Sequence, residues 1–93
     1  MVEFNKTYKF TNCVGEFIVN AKTDDHPSEY GNGMVLLLSP IVCPKGVFAH
    51  DVHEMFDIRY NRVSTEKDIR ELVMRIFDKK FGVTEDEIKE IGQ

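Results

Sequence analysis

Met34-Val35-Leu36-Leu37-Leu38 is the stretch on which the fold turns. It is bounded by Gly33 on one side and Ser39-Pro40 on the other, too short a run for a buried helix and well suited to a strand. Successive strand side chains point to opposite faces. Met34, Leu36 and Leu38 therefore face one way, and Val35 and Leu37 the other. A strand apolar on both sides is expected where both sheet faces are covered. The chain must supply neighbouring strands beside this one, and cover for its two faces.

Upstream, Thr7 to Val14 alternates, with Tyr8, Phe10 and Asn12 on one side and Lys9, Thr11 and Cys13 on the other. Glu16 to Ala21 alternates as well, with Phe17, Val19 and Ala21 together and Ile18 opposite. The apolar parity changes across Gly15. A bulge or a tight turn does this, and a turn lets the two strands pair as a hairpin. Residues 22–33, Lys-Thr-Asp-Asp-His-Pro-Ser-Glu-Tyr-Gly-Asn-Gly, are polar and predict a long exposed loop closed near Asn32-Gly33. Long loops carry function more often than short ones, which makes Asp24, Asp25, His26, Glu29 and Tyr30 candidate binding residues.

Downstream, Ile41-Val42-Cys43 continues the sheet after Pro40, and Pro44-Lys45-Gly46 forms a turn. Val47 to Ala49 is expected to return as a short strand. His53 to Tyr60 reads as an amphipathic strand, with Phe56, Ile58 and Tyr60 on one face and His53, Asp57 and Arg59 on the other. A helix follows, capped by Ser64 or Thr65 and running to about Phe81. Its stripe is Ile69, Leu72, Val73, Ile76 and Phe77, extended by Phe81, and Gly82 stands just past its end. Glu66 with Arg70, and Glu71 with Arg75, are spaced as surface ion pairs. Thr84 and Glu87 form a capping box, and Val83 with Ile88 a hydrophobic staple, which predicts a short second helix through residue 91. Such a helix is too short to persist alone, so Ile88 and Ile91 must dock.

Strands followed by helices is the α+β signature. The expectation is a single domain over residues 1–93: an antiparallel sheet of four or five strands, one long helix packed on one face, and a short C-terminal helix. The stretch Phe56-Asp57-Ile58-Arg59-Tyr60-Asn61, with the capped helix after it, resembles the strand-to-helix unit in the lid domain of M20-type metallopeptidases. The stretch contains none of that family's metal ligands, so the resemblance implies a local strand-to-helix connection and no activity.

Net charge is −4, which argues against a nucleic-acid backbone as the main ligand. Lys9, Arg59 and Arg62 with Tyr60 offer only a small basic and aromatic face for a single strand of RNA or DNA. The first residues, Met1-Val2-Glu3-Phe4-Asn5-Lys6, lack the apolar core of a signal peptide, and the longest apolar run is far too short to span a bilayer. A cytoplasmic protein with no membrane contact is expected, with Cys13 and Cys43 as free thiols.

His50-Asp51-Val52-His53-Glu54 is the densest group of ligand-type residues. In an extended chain the spacing of His50 and His53 sends the rings to opposite faces, and the helical H-E-x-x-H pattern is absent. A bend at Asp51-Val52, with Cys13, Cys43 or His26 completing the set, is what a metal site would need. A thiol enzyme would need Cys13 or Cys43 beside a base such as His50. Buried structural cysteine is the expected role for both. Asp24, Asp25 and Glu29 lack calcium-loop spacing, and Gly31-Asn32-Gly33 lacks the Lys and Ser/Thr of a phosphate loop. No cofactor is expected.

By function, the residues point first to a small non-enzymatic binding or regulatory protein acting through protein–protein contact, of the bacterial or phage accessory kind. The alternatives are a small metal- or thiol-dependent enzyme using His50, His53 and a cysteine, and, more weakly, a single-stranded nucleic-acid binder. The helix stripe can roof only one face of the Met34–Leu38 strand. The other, carrying Ile18, Val35 and Leu37, is expected to meet a partner, most simply a second copy in a two-fold homodimer. The competing expectation is that residues 22–33 or Ile41-Val42-Cys43 fold over it.

Overall fold

A computed structural model describes residues 3–28, 31–58 and 65–92. The strands are β1 (Asn5–Thr11), β2 (Glu16–Ser28), β3 (Gly31–Val42), β4 (Glu54–Asp57) and β5 (Lys89–Ile91). The helices are α1 (Ala49–Val52) and α2 (Glu66–Phe81), with a 3₁₀ turn at Glu85–Glu87. The sheet has the order β4-β3-β2-β1-β5, with every neighbouring pair antiparallel. This is an α+β fold, with one main helix on one face of the sheet.

The hairpin at Gly15 forms as the parity change requires. Phe10 pairs with Phe17 and Thr11 with Glu16. Asn12 and Gly15 exchange backbone hydrogen bonds at 3.0 and 3.2 Å. The Asn12 side chain accepts from the Val14 N–H at 2.9 Å and donates to the Phe81 carbonyl at 3.1 Å. One side chain therefore shapes the turn and ties it to the last residue of α2.

Tyr8, Phe10, Phe17, Val19, Ala21, Leu36 and Leu38 line the helix-facing side of the sheet and are buried. Ile69, Val73, Met74 and Phe77 close over them from α2. Leu72, Ile76 and Phe81 are only partly buried at the border of this core. Phe10 stacks on Phe17 at 5.4 Å, and Phe81 lies 4.9 Å from each of them. Large rings bury much apolar area per residue, which a chain of this size needs.

The ends of α2 are as expected, with Thr65 as the cap. Its hydroxyl accepts from the Asp68 N–H at 3.1 Å, and the Asp68 carboxylate accepts from the Thr65 N–H at 3.2 Å. Gly82 closes the helix at φ 69°, a left-handed value that glycine adopts without steric cost. The expected ion pairs are re-partnered. Glu66 meets Lys6 at 3.7 Å, Arg70 meets Glu85, and Glu71 meets Lys67 at 3.9 Å.

Three sequence expectations are corrected. Residues 22–28 are strand: β2 and β3 stay paired from Lys22↔Leu37 out to Ser28↔Gly31. Backbone pairing carries this outer half of the hairpin, so it leaves no apolar alternation to read. Val47–Ala49 does not return as a strand, because the chain instead makes the single turn of α1, which buries Val52. The second helix is reduced to a single 3₁₀ turn at Glu85–Glu87. Thr84 and Glu87 do interact, the Glu87 carboxylate accepting from the Thr84 N–H at 2.9 Å and from its hydroxyl at 3.1 Å. These two hydrogen bonds, the backbone one first, hold the Glu87 carboxyl below the usual range. They shape only the 3₁₀ turn, after which Lys89–Ile91 pairs with the open edge of β1. Seven residues cannot sustain a helix alone, and the β1 edge offers them backbone partners.

Tyr8 is fully buried, and among the described residues its hydroxyl has no partner in good hydrogen-bond geometry. Glu90, directly opposite on β5, acts on it chiefly through charge, with a weaker hydrogen-bonding contribution. Burial first, and Glu90 second, push the phenol up to about 12. A tyrosine raised above its unfolded value of about 10 contributes stability that is intact below that pH. The contribution is lost as pH rises through the folded value. Wild type should therefore lose stability between pH 10 and about 12 more steeply than Tyr8→Phe. At neutral pH the substitution should be neutral or stabilising by up to about 1 kcal/mol, since it removes an unsatisfied buried group. Urea midpoints across this pH range check both statements, and parallel curves would refute the linkage.

Candidate interaction surface

Among the described residues, the ligand-type side chains singled out in the sequence do not assemble. His50 lies on α1 with its side chain 80% exposed, its Nε2 at 3.2 Å from the Asp51 carboxylate and its ring stacked 5.6 Å from Phe48. His53, at the end of α1, is exposed as well. Among the described residues no three His, Cys, Asp or Glu side chains gather as a metal-holding group. Cys43 is half-buried after β3, whereas Cys13 is exposed, which corrects the expectation of a buried thiol there. The two-residue turn closed by Asn12 and Gly15 puts Cys13 at its tip.

Asp24 and Asp25 lie on β2, opposite Val35 and Met34, and His26 is in register with Gly33. They belong to a hairpin arm and not to a loop. Glu29 and Tyr30 fall outside the described residues, as do Arg59, Tyr60 and Arg62 of the small basic face. Lys9 shares the face of the sheet away from α2 with Lys89 and sits 3.8 Å from Glu16. An open cleft of about 510 Å³ near the start of β1 mixes Lys6 and Lys22 with Glu3, Asp24 and Glu66, so it favours neither charge sign.

The face of the sheet away from α2 divides into two halves. Near β1 and β5 it carries the exposed Lys9, Lys89 and Lys22 around a buried Thr7, a largely solvated surface. Toward β3 and β4 it is more apolar: Ile18 is opposite Val42 and Leu37 opposite Met55, with Asp24 and Asp57 flanking Val35. Of the three residues expected to face a partner, Val35 is already covered within the chain at 5% exposure, and Ile18 and Leu37 are half-buried. Their neighbours Val42 and Met55 are exposed.

The register shift between Ile18 and Val19 sets this border. Val19 pairs with Pro40 and Ile18 with Val42, which leaves Ile41 as the extra residue of a bulge, 59% exposed. Pro40 supplies no N–H, consistent with a break in the ladder at this point. Pro44 packs against Gly15, which brings the Cys13-Val14 tip beside the end of β3. The turn at Pro44–Val47, with Gly46 at φ 91°, then leads to Phe48, 65% exposed.

Val14, Ile41, Val42, Phe48 and Met55 are the exposed large apolar residues among those described. All come from β3, β4 and the segments around the end of β3, and none from α2, β1 or β5. Sequence reasoning found Ile18 and Leu37 but not this group. The available signal was Ile41-Val42 directly after Ser39-Pro40, an apolar pair at a point where the ladder must break.

Among the described residues no helix is long and apolar enough to cross a membrane. Comparison with protein-family models, with curated proteins and with solved structures finds no significant match.

Proposed function

We propose that this chain is a small non-enzymatic binding or regulatory protein that acts through protein–protein contact, and that the contact surface is the apolar region around the end of β3. The observation that carries this reading is the exposure of Val14, Ile41, Val42 and Phe48, which lie on the segments that meet around the end of β3, with Met55 further along the neighbouring edge. Single exposed apolar residues are ordinary, but several on neighbouring segments of one surface favour a recognition site. Phe48 and Met55 are of the residue types enriched at such interfaces. In this reading the protein works in a reducing compartment, with Cys13 and Cys43 as free thiols.

The test is a double substitution, Ile41→Lys with Phe48→Lys. Both side chains are more than half exposed, so the fold should tolerate the change, as circular dichroism and thermal melting would show. Tagged wild-type protein should retain a defined partner from source-organism lysate, and the variant should lose it. Identical retained proteins from a folded variant would reject the surface.

A further inference from the structure

We infer that the outer edge of β4 pairs with the same edge of a second copy of this chain, forming a sheet continuous across a two-fold axis at Met55; this rests on reading the chain as one that works through protein contact. The argument starts from the ladder. β4 is an edge strand, paired to β3 as Asp57↔Val35, Phe56↔Leu36, Met55↔Leu37 and Glu54↔Leu38. Just beyond it, the Ile58 N–H donates to the Met34 carbonyl at 3.1 Å. In an antiparallel pair the hydrogen-bonded residues alternate. Ile58, Phe56 and Glu54 therefore turn their backbone groups toward β3, and Met55 turns its N–H and carbonyl outward.

Edges of this kind are normally blunted by proline, by a central lysine, by a bulge or by a covering element. Met55 and Phe56, at the centre of β4, supply none of the first three, and the Met55 side chain is 53% exposed. On the helix side the edge opens into a groove of about 250 Å³ lined by Glu54, Phe56, Ile76, Lys79 and Lys80. Phe56 and Ile76 supply its apolar part, Glu54 and Lys80 are paired across it at 3.0 Å, and Lys79 adds a further cation.

The edge is complementary to itself. A two-fold perpendicular to the sheet keeps each face on its own side and sets Met55 opposite Met55, with two backbone hydrogen bonds exchanged. The methionine side chains then cover each other on the open face, extending the apolar half described above. Glu54 of each copy, whose carboxylate accepts from Lys80 of its own chain at 3.0 Å, falls opposite Phe56 of the other, at the mouth of the other's groove. Lys79, which makes no ion pair among the described residues, stands at that rim to receive the carboxylate. A closed two-fold is also the commonest symmetry for a soluble chain.

Light scattering coupled to size exclusion, from low to high micromolar concentration, reads the result. Wild type should reach the mass of two chains, and Met55→Lys should stay at one. Because a lysine here can also disturb folding, a second variant places Met55→Cys in a Cys13→Ser, Cys43→Ser background. Directly opposed Cα atoms at a bonded pair lie about 5.5 Å apart, within disulfide range. A mild oxidant should therefore link two chains through position 55, and Lys22→Cys in the same background should not link. A wild-type monomer at all concentrations would overturn the pairing, while the protein-contact reading would still stand or fall on Ile41 and Phe48. A dimer that survives Met55→Lys and does not link at position 55 would place the interface elsewhere. A monomer whose β4 edge instead binds a strand of a different protein would overturn the second copy as occupant.

Discussion

Phe77→Ala is expected to lower the free energy of unfolding by about 3–5 kcal/mol. Phe77 is fully buried on the face of α2 that meets the sheet. Its ring lies 5.7 Å from Tyr8, edge-on, 5.1 Å from Phe10 and 5.8 Å from Phe81. Truncation loses the transfer energy of the ring and leaves a cavity among rigid aromatic neighbours, which relax little. Leu72 and Ile76 sit on the same helix but are partly exposed, so their truncation should cost less than that of Phe77. Urea midpoints of the three variants give the order. If Phe77→Ala falls within about 1 kcal/mol of wild type, small beside a buried-ring truncation, the aromatic cluster is not what holds α2 to the sheet.

The second large effect is expected at Gly15→Ala, at about 1–3 kcal/mol. Two independent terms contribute. The residue has φ +146°, a conformation L side chains rarely adopt, and a Cβ there would lie 2.8 Å from the Pro44 Cβ. Gly46 and Gly82, at φ +91° and +69°, have open space where a Cβ would go, so alanine there meets only the conformational cost. Gly15→Ala combined with Pro44→Gly should recover the contact part and leave the backbone part. A double-mutant cycle measures this coupling. Strict additivity in that cycle would show that Gly15 and Pro44 do not press on each other. It would also loosen the link between the Cys13-Val14 tip and the end of β3 on which the apolar surface depends.

The elements legible in the sequence were those with both a period and a boundary. α2 has a 3.6-residue stripe, a capping box at Thr65 and a left-handed Gly82. The β1–β2 hairpin has two alternating runs whose parity switches at Gly15. What escaped lacked one of these. Residues 22–28 pair through the backbone with no regular burial, so their polarity read as a loop. Thr84 and Glu87 are a true capping pair, yet the choice between a short helix and a short strand was made by the free edge of β1, far away in sequence. Of the proposed surface, Ile18 and Leu37 were legible because alternation assigns a face. The exposure of Ile41, Phe48 and Met55 was not, because it follows from a bulge, a turn and an edge position. Pattern shows which side a residue faces, but not what stands there.

The pairing of β5 with β1 has a consequence for how the chain assembles. β1, β2 and β3 are joined in succession by hairpins, so their contacts are near in sequence and close early at little entropic cost. Thr7↔Ile91 joins almost the two ends of the chain. During synthesis β1 waits as an open edge until β5 has been made. During that interval the outward backbone groups of Thr7 and Lys9 are available to a chaperone or to another nascent chain. The latest contact to form is also the one that shields the earliest strand, so the vulnerability of this domain to misassembly is set by the time taken to translate it.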